Sequence, residues 1–389
     1  MRIAVLATAD RNWFGGVQYI QNILWSFQHA GLVGDGRLLT SVTLIANPDF
    51  LDLAPDELLK QPWLRVLLQP SPRTRFGRWF GRLWLLARVF RCDVVYPCPY
   101  RLGLVLGKRG IGWIPDFQHV HLPQFFSAKE LENRNRVFRR TLSRNGTVVL
   151  SSHDARACAE SFLPDHRACL EVVPFHVLPE RFPLRRQPIQ DLLQSYGVPS
   201  RYMLCANQFW EHKDHRTLFR ALALAAKRCP DIHLVCTGRL MDSRDPDFLE
   251  TLLREASSLG ILKHLSLLGF LPRLDQITLM KVALVVVQPS LYEGWSTVVE
   301  DARAFGVPLI LSNLDVHREQ APKGSIFFSK GNSDDLAERL VDAWSREWPE
   351  RKSDAELQKD AESRLLRMGQ ELGVVIRKAR RKQEWPPSI

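Results

Sequence analysis

Residues 283–312 read ALVVVQPSLYEGWSTVVEDARAFGVPLILS, and this stretch decides the fold. Ala283–Gln288 stays apolar up to its last residue, which predicts a short strand buried on both faces. Pro289 and Ser290 end it, and Ser296 or Thr297 is a candidate N-cap for a helix over Val298–Phe305. Pro308–Leu311 then begins another apolar run. Strand, loop, helix and strand within so few residues make the βαβ unit of a parallel sheet.

The same alternation runs outward in both directions. Toward the N-terminus the strand candidates are Arg2–Ala7, Val42–Ala46, Val66–Leu68, Asp93–Tyr96, Gly112–Pro115, Thr147–Ser151 and Glu171–Pro174. Around the decisive stretch lie Tyr202–Ala206, His233–Thr237, Leu265–Gly269 and a weak Ser325–Phe328. A single sheet of that many strands would be unusual, so the pattern predicts an α/β chain of two doubly wound domains. Five prolines between Pro174 and Pro199, with few periodic apolar residues, mark the linker. The boundaries expected are 1–180, a linker over 181–200, a second domain over 201–360 and a terminal helix over 361–389.

The 389 residues carry a net charge of +11, unevenly spread. Residues 51–150 hold 17 basic and 7 acidic side chains, while residues 201–350 hold 18 and 20. One basic segment on an otherwise balanced chain argues against a nucleic-acid-binding protein. It suggests a local anionic partner, such as an acidic membrane surface or a phosphate-bearing substrate. Seven scattered cysteines without a Cys-x-x-Cys pair fit reduced thiols in a cytoplasm. Neither a signal peptide nor a membrane-spanning run is expected.

Ligands of open α/β sheets bind beyond the carboxyl ends of the strands. The loop 289–297 leads into a helix N-terminus, whose N–H groups and dipole suit a phosphate or a sugar hydroxyl network. Glu293 lies in that loop, with Glu300 and Asp301 about one turn into the helix. By themselves these acids read equally well as a solvated loop residue and helix charges favoured by the macrodipole. YMLCANQFWEHKDHRTLFRAL (202–222) places Asn207, Gln208 and the cation Lys213 just past a strand. Gly15 and Gly16 follow the first strand and read as a tight turn with a helix from Val17. WIPDFQHVHLPQFFS (113–127) sets Asp116, His119 and His121 beyond another strand. Ser151 and Ser152 open a helix, where an ordinary N-cap accounts for them.

Pro-Ser-x-x-Glu-Gly followed by a second acid on a helix resembles the nucleotide-sugar signature of retaining GT-B glycosyltransferases, in particular family 4. The resemblance implies two Rossmann-like domains facing each other across a cleft, the N-terminal one on the acceptor side and the C-terminal one binding the nucleotide sugar. The helix 361–389 would cross back to the first domain. It implies that Glu293 lies by the donor sugar and that Glu300 holds the ribose, with Asp301 as second choice because it sits at the family's spacing. Lys213 would neutralise the donor diphosphate, although Gln208 stands where relatives carry an arginine. His119 would meet the sugar near the reacting carbon, with His121 as runner-up. Asn207, Gln208, Gly15, Gly16, Gly238, Leu271, Gly294, Trp295, Ser296 and Thr297 complete the expected donor site. Gly238 and Gly269–Leu271 would cradle the base through backbone atoms, and the amides of Ser296 and Thr297 would face the sugar. No cofactor or metal is implied beyond a GDP- or UDP-linked donor. The expected partners are that nucleotide sugar and a glycan or lipid-linked acceptor in cell-surface polysaccharide assembly, but no nucleic acid.

Two enzyme alternatives compete. Asp245-Pro246-Asp247 has the form of a metal-binding Asp-x-Asp, yet reads better as a charged loop before a helix from Phe248. A sugar-nucleotide epimerase would use the same Glu293 and His119. A non-catalytic nucleotide-sugar-binding homologue is the reading outside enzymology. Lastly, SPRTRFGRWFGRLWLLARVFR (71–91) sets Phe76, Trp79 or Phe80, Leu83, Ala87 and Phe90 at helical spacing, flanked by Arg75, Arg78, Arg82 and Arg88. That is the pattern of an interfacial membrane helix, and equally of a helix packing its apolar stripe on the sheet. RKARRK (377–382) adds further cations. The expected location is cytoplasmic, peripheral at the inner face of the membrane.

Overall fold

The computed structural model describes residues 1–7, 14–70, 74–178, 188–242 and 244–381. The side chains of Phe14, Arg75, Phe76, Arg78 and Arg381 lie outside the described set. The chain separates into two compact units. One is Met1–Phe117, Lys129–His176 and Glu362–Ile389, and the other is Gln118–Ala128 and Val177–Ala361.

The first unit begins β1 (Arg2–Ala7), α1 (Phe14–His29), β2 (Ser41–Ala46), α2 (Pro48–Leu53), α3 (Asp56–Leu59) and β3 (Leu64–Leu68). It continues with α4 (Arg75–Val89), β4 (Val94–Tyr96), α5 (Tyr100–Leu106) and β5 (Ile111–Ile114). The short α6 (Gln118–His121) belongs to the second unit; α7 (Ala128–Arg144), β6 (Thr147–Leu150), α8 (His153–Phe162) and β7 (Cys169–Val172) follow. Every strand pairing is parallel, in the orders β3-β2-β1-β4 and β5-β6-β7, and an isolated bridge between Val95 and Gly110 links the two sets.

The second unit runs α9 (Ile189–Ser195), β8 (Met203–Cys205), α10 (His215–Ala226), β9 (Leu234–Cys236), α11 (Phe248–Ser258) and β10 (Leu265–Leu267). Next come α12 (Arg273–Val282), β11 (Val286–Gln288), α13 (Thr297–Ala304), β12 (Leu309–Ser312), α14 (Asp315–Gln320), β13 (Ile326–Phe328) and α15 (Ser333–Ser345). The last helix, α16 (Asp354–Arg381), starts here and from Glu362 belongs to the first unit. Its contact with α1 is close: a Cβ on Gly369 would sit 2.3 Å from the Ser26 carbonyl oxygen.

The second sheet has the order β10-β9-β8-β11-β12-β13, all parallel. Met203, Cys205, Val285 and Val287 pack into one apolar layer with Leu218, Leu222 and Leu340. Tyr202, Leu204, Ala206 and Val286 pack into the other with Ile277, Met280 and Val299. Because both faces are covered, these strands read as unbroken apolar runs. Strand order reverses between β8 and β11, and such a switch point leaves a crevice at the carboxyl ends of the two strands.

Several boundaries differ from expectation. Gly15 and Gly16 do not form a turn but open α1, and neither has the positive φ that would demand glycine. Part of the expected linker is core: Pro188 caps α9, whose Leu192 and Leu193 are buried beside Val198, so only 181–187 of that segment lies outside the described residues. Residues 118–128 interrupt the expected 1–180 domain and sit in the second unit, where His121 stacks on Tyr292 and Arg244 covers Phe126. Strand β7 starts two residues earlier than its apolar run suggested. The stripe of α4 does not pack on the sheet. Trp84, Leu85 and Val89 do, leaving Trp79, Phe80, Leu83 and Phe90 exposed.

Gly238 shows how tightly the crevice is drawn. Its φ is +130°, and a Cβ there would lie 2.1 Å from the Asn207 carbonyl oxygen. Gly238→Ala should therefore cost about 2–4 kcal/mol, read as a lowered unfolding midpoint in urea, with the same far-UV spectrum at rest.

Candidate active site

Two loops at the switch point supply the charged centre. After β8 the chain passes Asn207 and Gln208 into a tight 3-10 turn, Glu211–Lys213. Asp214 then adopts a left-handed conformation (φ +53°) and caps α10, its Oδ1 accepting from Thr217 N. After β11, Pro289–Trp295 leads to Ser296, whose hydroxyl caps α13 by accepting from Val299 N. Leu291 N donates to the His212 carbonyl (2.8 Å), which ties the two loops together.

Lys213 and Glu293 meet between them. Lys213 Nζ donates to Glu293 Oε1 at 2.5 Å, and both side chains are nearly excluded from water, 12% and 9% exposed. The same oxygen accepts from Ser290 Oγ (2.7 Å) and Gln288 Nε2 (2.8 Å). Burial pushes the Glu293 carboxyl up, but the charge of Lys213, then that of His317, and the bonds from Lys213 and Ser290 outweigh it and hold the pKa below 4.5. Gln288 is fixed in turn by Asn207, whose Nδ2 donates to its Oε1 at 2.9 Å.

A third strand braces this loop from behind. Ser312 Oγ donates to the Ser290 carbonyl (2.6 Å), and His317 Nδ1 lies 2.9 Å from the Ser312 carbonyl. His317 is fully buried; burial lowers its pKa, against the pull of the Glu293 charge. Gln320 clasps the start of α13: its Oε1 accepts from Ser296 N, and its Nε2 donates to Ser296 O and to Glu300 Oε1. The expectation that the Ser296 amide faces a sugar therefore fails, because Gln320 occupies it. Thr297 is the first residue of α13, while Gly294 is buried and Trp295 half-buried.

Glu300 and Asp301 are both buried, and Asp301 is ion-paired to Arg273 at 2.5 Å. Burial raises the Asp301 pKa and Arg273 opposes it. Gln208 is committed to the backbone, its Oε1 accepting from Arg239 N (3.0 Å). Leu271 is a core side chain, so that position has only backbone to offer a ligand. His119 is buried with its ring edge-on to Phe126, while exposed His121 stacks at 4.8 Å on Tyr292, the neighbour of Glu293. Gly15 and Gly16 belong to the first unit. Ser152 is an ordinary N-cap of α8.

Sequence reading missed Gln288, Ser290, Ser312, His317 and Gln320. Gln288 carried a signal, a lone amide ending an apolar strand, and Ser290 stands in the Pro-Ser-x-x-Glu-Gly segment itself; Ser312, His317 and Gln320 carried none. It also missed Arg244, which Asp242 holds by two bonds (2.9 and 2.8 Å) against the rings of Trp210 and Phe126. Asp245 caps its own loop by accepting from Asp247 N. Among the described residues no group of three or more His, Cys, Asp or Glu could hold a metal ion.

Comparison with known proteins gives the class. Residues 194–364 match the model of the family "Glycosyl transferases group 1". The whole chain superposes on Anabaena Alr3699/HepE solved with UDP-glucose, with TM-score 0.65 at 16% identity, covering 98% of this chain and 99% of that one. Sucrose-phosphate synthase from Thermosynechococcus elongatus gives 0.67 at 16% over 97% and 98%. WaaG, a glycosyltransferase involved in lipopolysaccharide biosynthesis, gives 0.60 at 14% over 99% and 100%. No curated protein matches the chain. The chain thus has a GT-B-like fold of two Rossmann-like units, and residues 194–364 of it match the group 1 glycosyl transferase model.

The pair fixes a pH prediction. With its native pKa below 4.5, Glu293 contributes stability above that pH and loses it as pH falls through the lower native value. Lys213→Met removes the offsetting charge and leaves burial dominant. The Glu293 carboxyl should then titrate above 4.5 by carbon-detected NMR, with stability falling as pH rises through that range. Titration still below 4.5 would show that Lys213 is not what holds it down.

Proposed function

We propose that the protein transfers a sugar, with retention at the anomeric carbon and without a metal, from a nucleoside-diphosphate donor to a glycan or lipid-linked acceptor in cell-surface polysaccharide assembly. The observation that carries this reading is the buried Lys213–Glu293 pair at the switch point of a parallel sheet. On donor binding Lys213 becomes the counter-charge of the diphosphate, and Glu293 receives sugar hydroxyls as donors in its place. Glu300, with Asp301 as second choice, takes the ribose, and His119 or His121 approaches the reacting carbon. The bond from the anomeric carbon to the diphosphate oxygen breaks while the acceptor oxygen bonds to that carbon from the same face. The acceptor's proton passes to the departing phosphate oxygen.

The solved complexes of Anabaena Alr3699/HepE with UDP and UDP-glucose make UDP the first base to test, with GDP beside it. We assign the cationic stretch of sequence with Arg75, Arg78, Trp79 and Arg82 to the acceptor or to an acidic membrane surface, and propose the inner face of the membrane as the protein's location.

A nucleotide at a hundredfold its Kd should stabilise the protein by about 2.7 kcal/mol, visible as a thermal shift. Glu293→Gln and Lys213→Ala should each lower turnover about a hundredfold or more. Chelator should leave turnover unchanged, and NMR of the product should show the donor's anomeric configuration. Wild-type rates in both variants would sink the site, and an inverted product would sink the mechanism.

A further inference from the structure

We propose that α4 and α5 of the first unit form one two-helix platform that lies on an anionic lipid bilayer. This extends the membrane part of the proposed function and is independent of the donor site. Both helices feed a single core cluster, α4 through Trp84, Leu85 and Val89 and α5 through Leu102 and Leu106, packed with Ala4 and Val95 of the sheet. They therefore cover the same face of that sheet, and their opposite sides point away from it together.

Those outer sides are apolar where a solvated helix would be polar. Trp79, Phe80 and Leu83 on α4 and Leu104 and Val105 on α5 are between 42% and 60% exposed. Along these two helices and the segment that joins them the charge is almost all of one sign. Between residues 74 and 110 the sequence holds eight basic residues and one acidic residue, Asp93, which Arg2 already pairs. Arg101, Arg140 and Arg144 gather over the ring of Tyr100 within 5.8 Å, while Arg88 stacks on Trp84 and Arg109 on Phe90. Among the described residues none of these five arginines has a carboxylate partner. A surface built only for water intersperses both signs.

Exposed aromatic and aliphatic side chains on helices that also carry unneutralised cations match the acyl boundary and the phosphates of an anionic leaflet at once. A second copy of this chain fits poorly, because a two-fold contact through this face would set cations against cations. Among the described residues no helix is long and apolar enough to cross a membrane, so the contact is with the surface.

Cosedimentation with vesicles tests the platform, using phosphatidylcholine with about one third phosphatidylglycerol against phosphatidylcholine alone. The full chain should bind the anionic vesicles and be released by salt. Leu104→Ser with Val105→Ser should weaken binding about tenfold, since these are the two exposed apolar side chains that α5 adds to the three of α4. Arg101→Ala with Lys108→Ala should weaken it on the order of twentyfold, about fivefold per cation. Equal binding to neutral vesicles, or binding indifferent to Leu104 and Val105, would overturn the proposal. So would a dimer that these substitutions dissociate in a protein that binds no vesicles. The nucleotide-induced thermal shift of the Leu104→Ser, Val105→Ser protein reads the donor site separately, so failure of the platform and failure of the proposed function are distinguishable.

Discussion

A lysine and a glutamate held out of water against each other, Lys213 and Glu293, set the terms for everything above the second sheet. Taking each ion from water costs several kcal/mol, and mutual attraction alone seldom returns it. The remaining lone pairs need donors, and the sequence supplies Gln288 and Ser290 within five residues of Glu293. That explains why β11 ends in an amide rather than another valine. It also explains why Asn207 follows β8, since the Gln288 carbonyl oxygen must be satisfied as well. One ion pair thus dictates side chains on two strands far apart in the chain.

Its influence reaches the elements behind. The Glu293 loop leans on Ser312 through the Ser290 carbonyl, Ser312 is bonded to His317, and Gln320 from the same short helix holds the entry to α13. Helix α14 thus acts mainly as a brace, fixing the loop that carries the carboxylate. Asn207 Oδ1 and His317 Nε2 are buried without a partner among the described residues, yet the bonds that are made hold the loop on two sides and rigidify it.

The central strands of the second sheet were legible because they are sandwiched between two apolar layers, which leaves them almost entirely apolar. Cys205 facing one layer and Leu204 the other is that constraint at single-residue scale. Glu293 and Lys213 were singled out by the resemblance of their segments to a known signature, in the loops that follow β11 and β8. What stayed hidden depends on tertiary partners. Nothing local says that Gln320 will occupy the Ser296 amide, or that 118–128 will leave the first unit to stack on Tyr292. Prolines around 188–199 suggested a linker, yet Leu192 and Leu193 made α9 a core helix. In α4 two apolar faces compete, and spacing alone selects the larger aromatic stripe, whereas the sheet accepts Trp84, Leu85 and Val89.

The pairing of Lys213 with Glu293 also constrains what can enter. An anion that draws the ammonium away leaves a buried carboxylate short of its strongest donor, and its burial then raises its energy. A hydroxylated ligand without an anion supplies donors to Glu293 but gives Lys213 no new charge. Each half-ligand strands one ion in a site of low polarity, where an unpaired charge is expensive. A ligand that presents an anionic group and hydroxyls a few ångströms apart replaces both partners in one event. On the proposed function, the closed pair would therefore discriminate by what a ligand lacks, and the neutral Gln208, whose Oε1 accepts from Arg239 N, adds no second charge that would relax that demand.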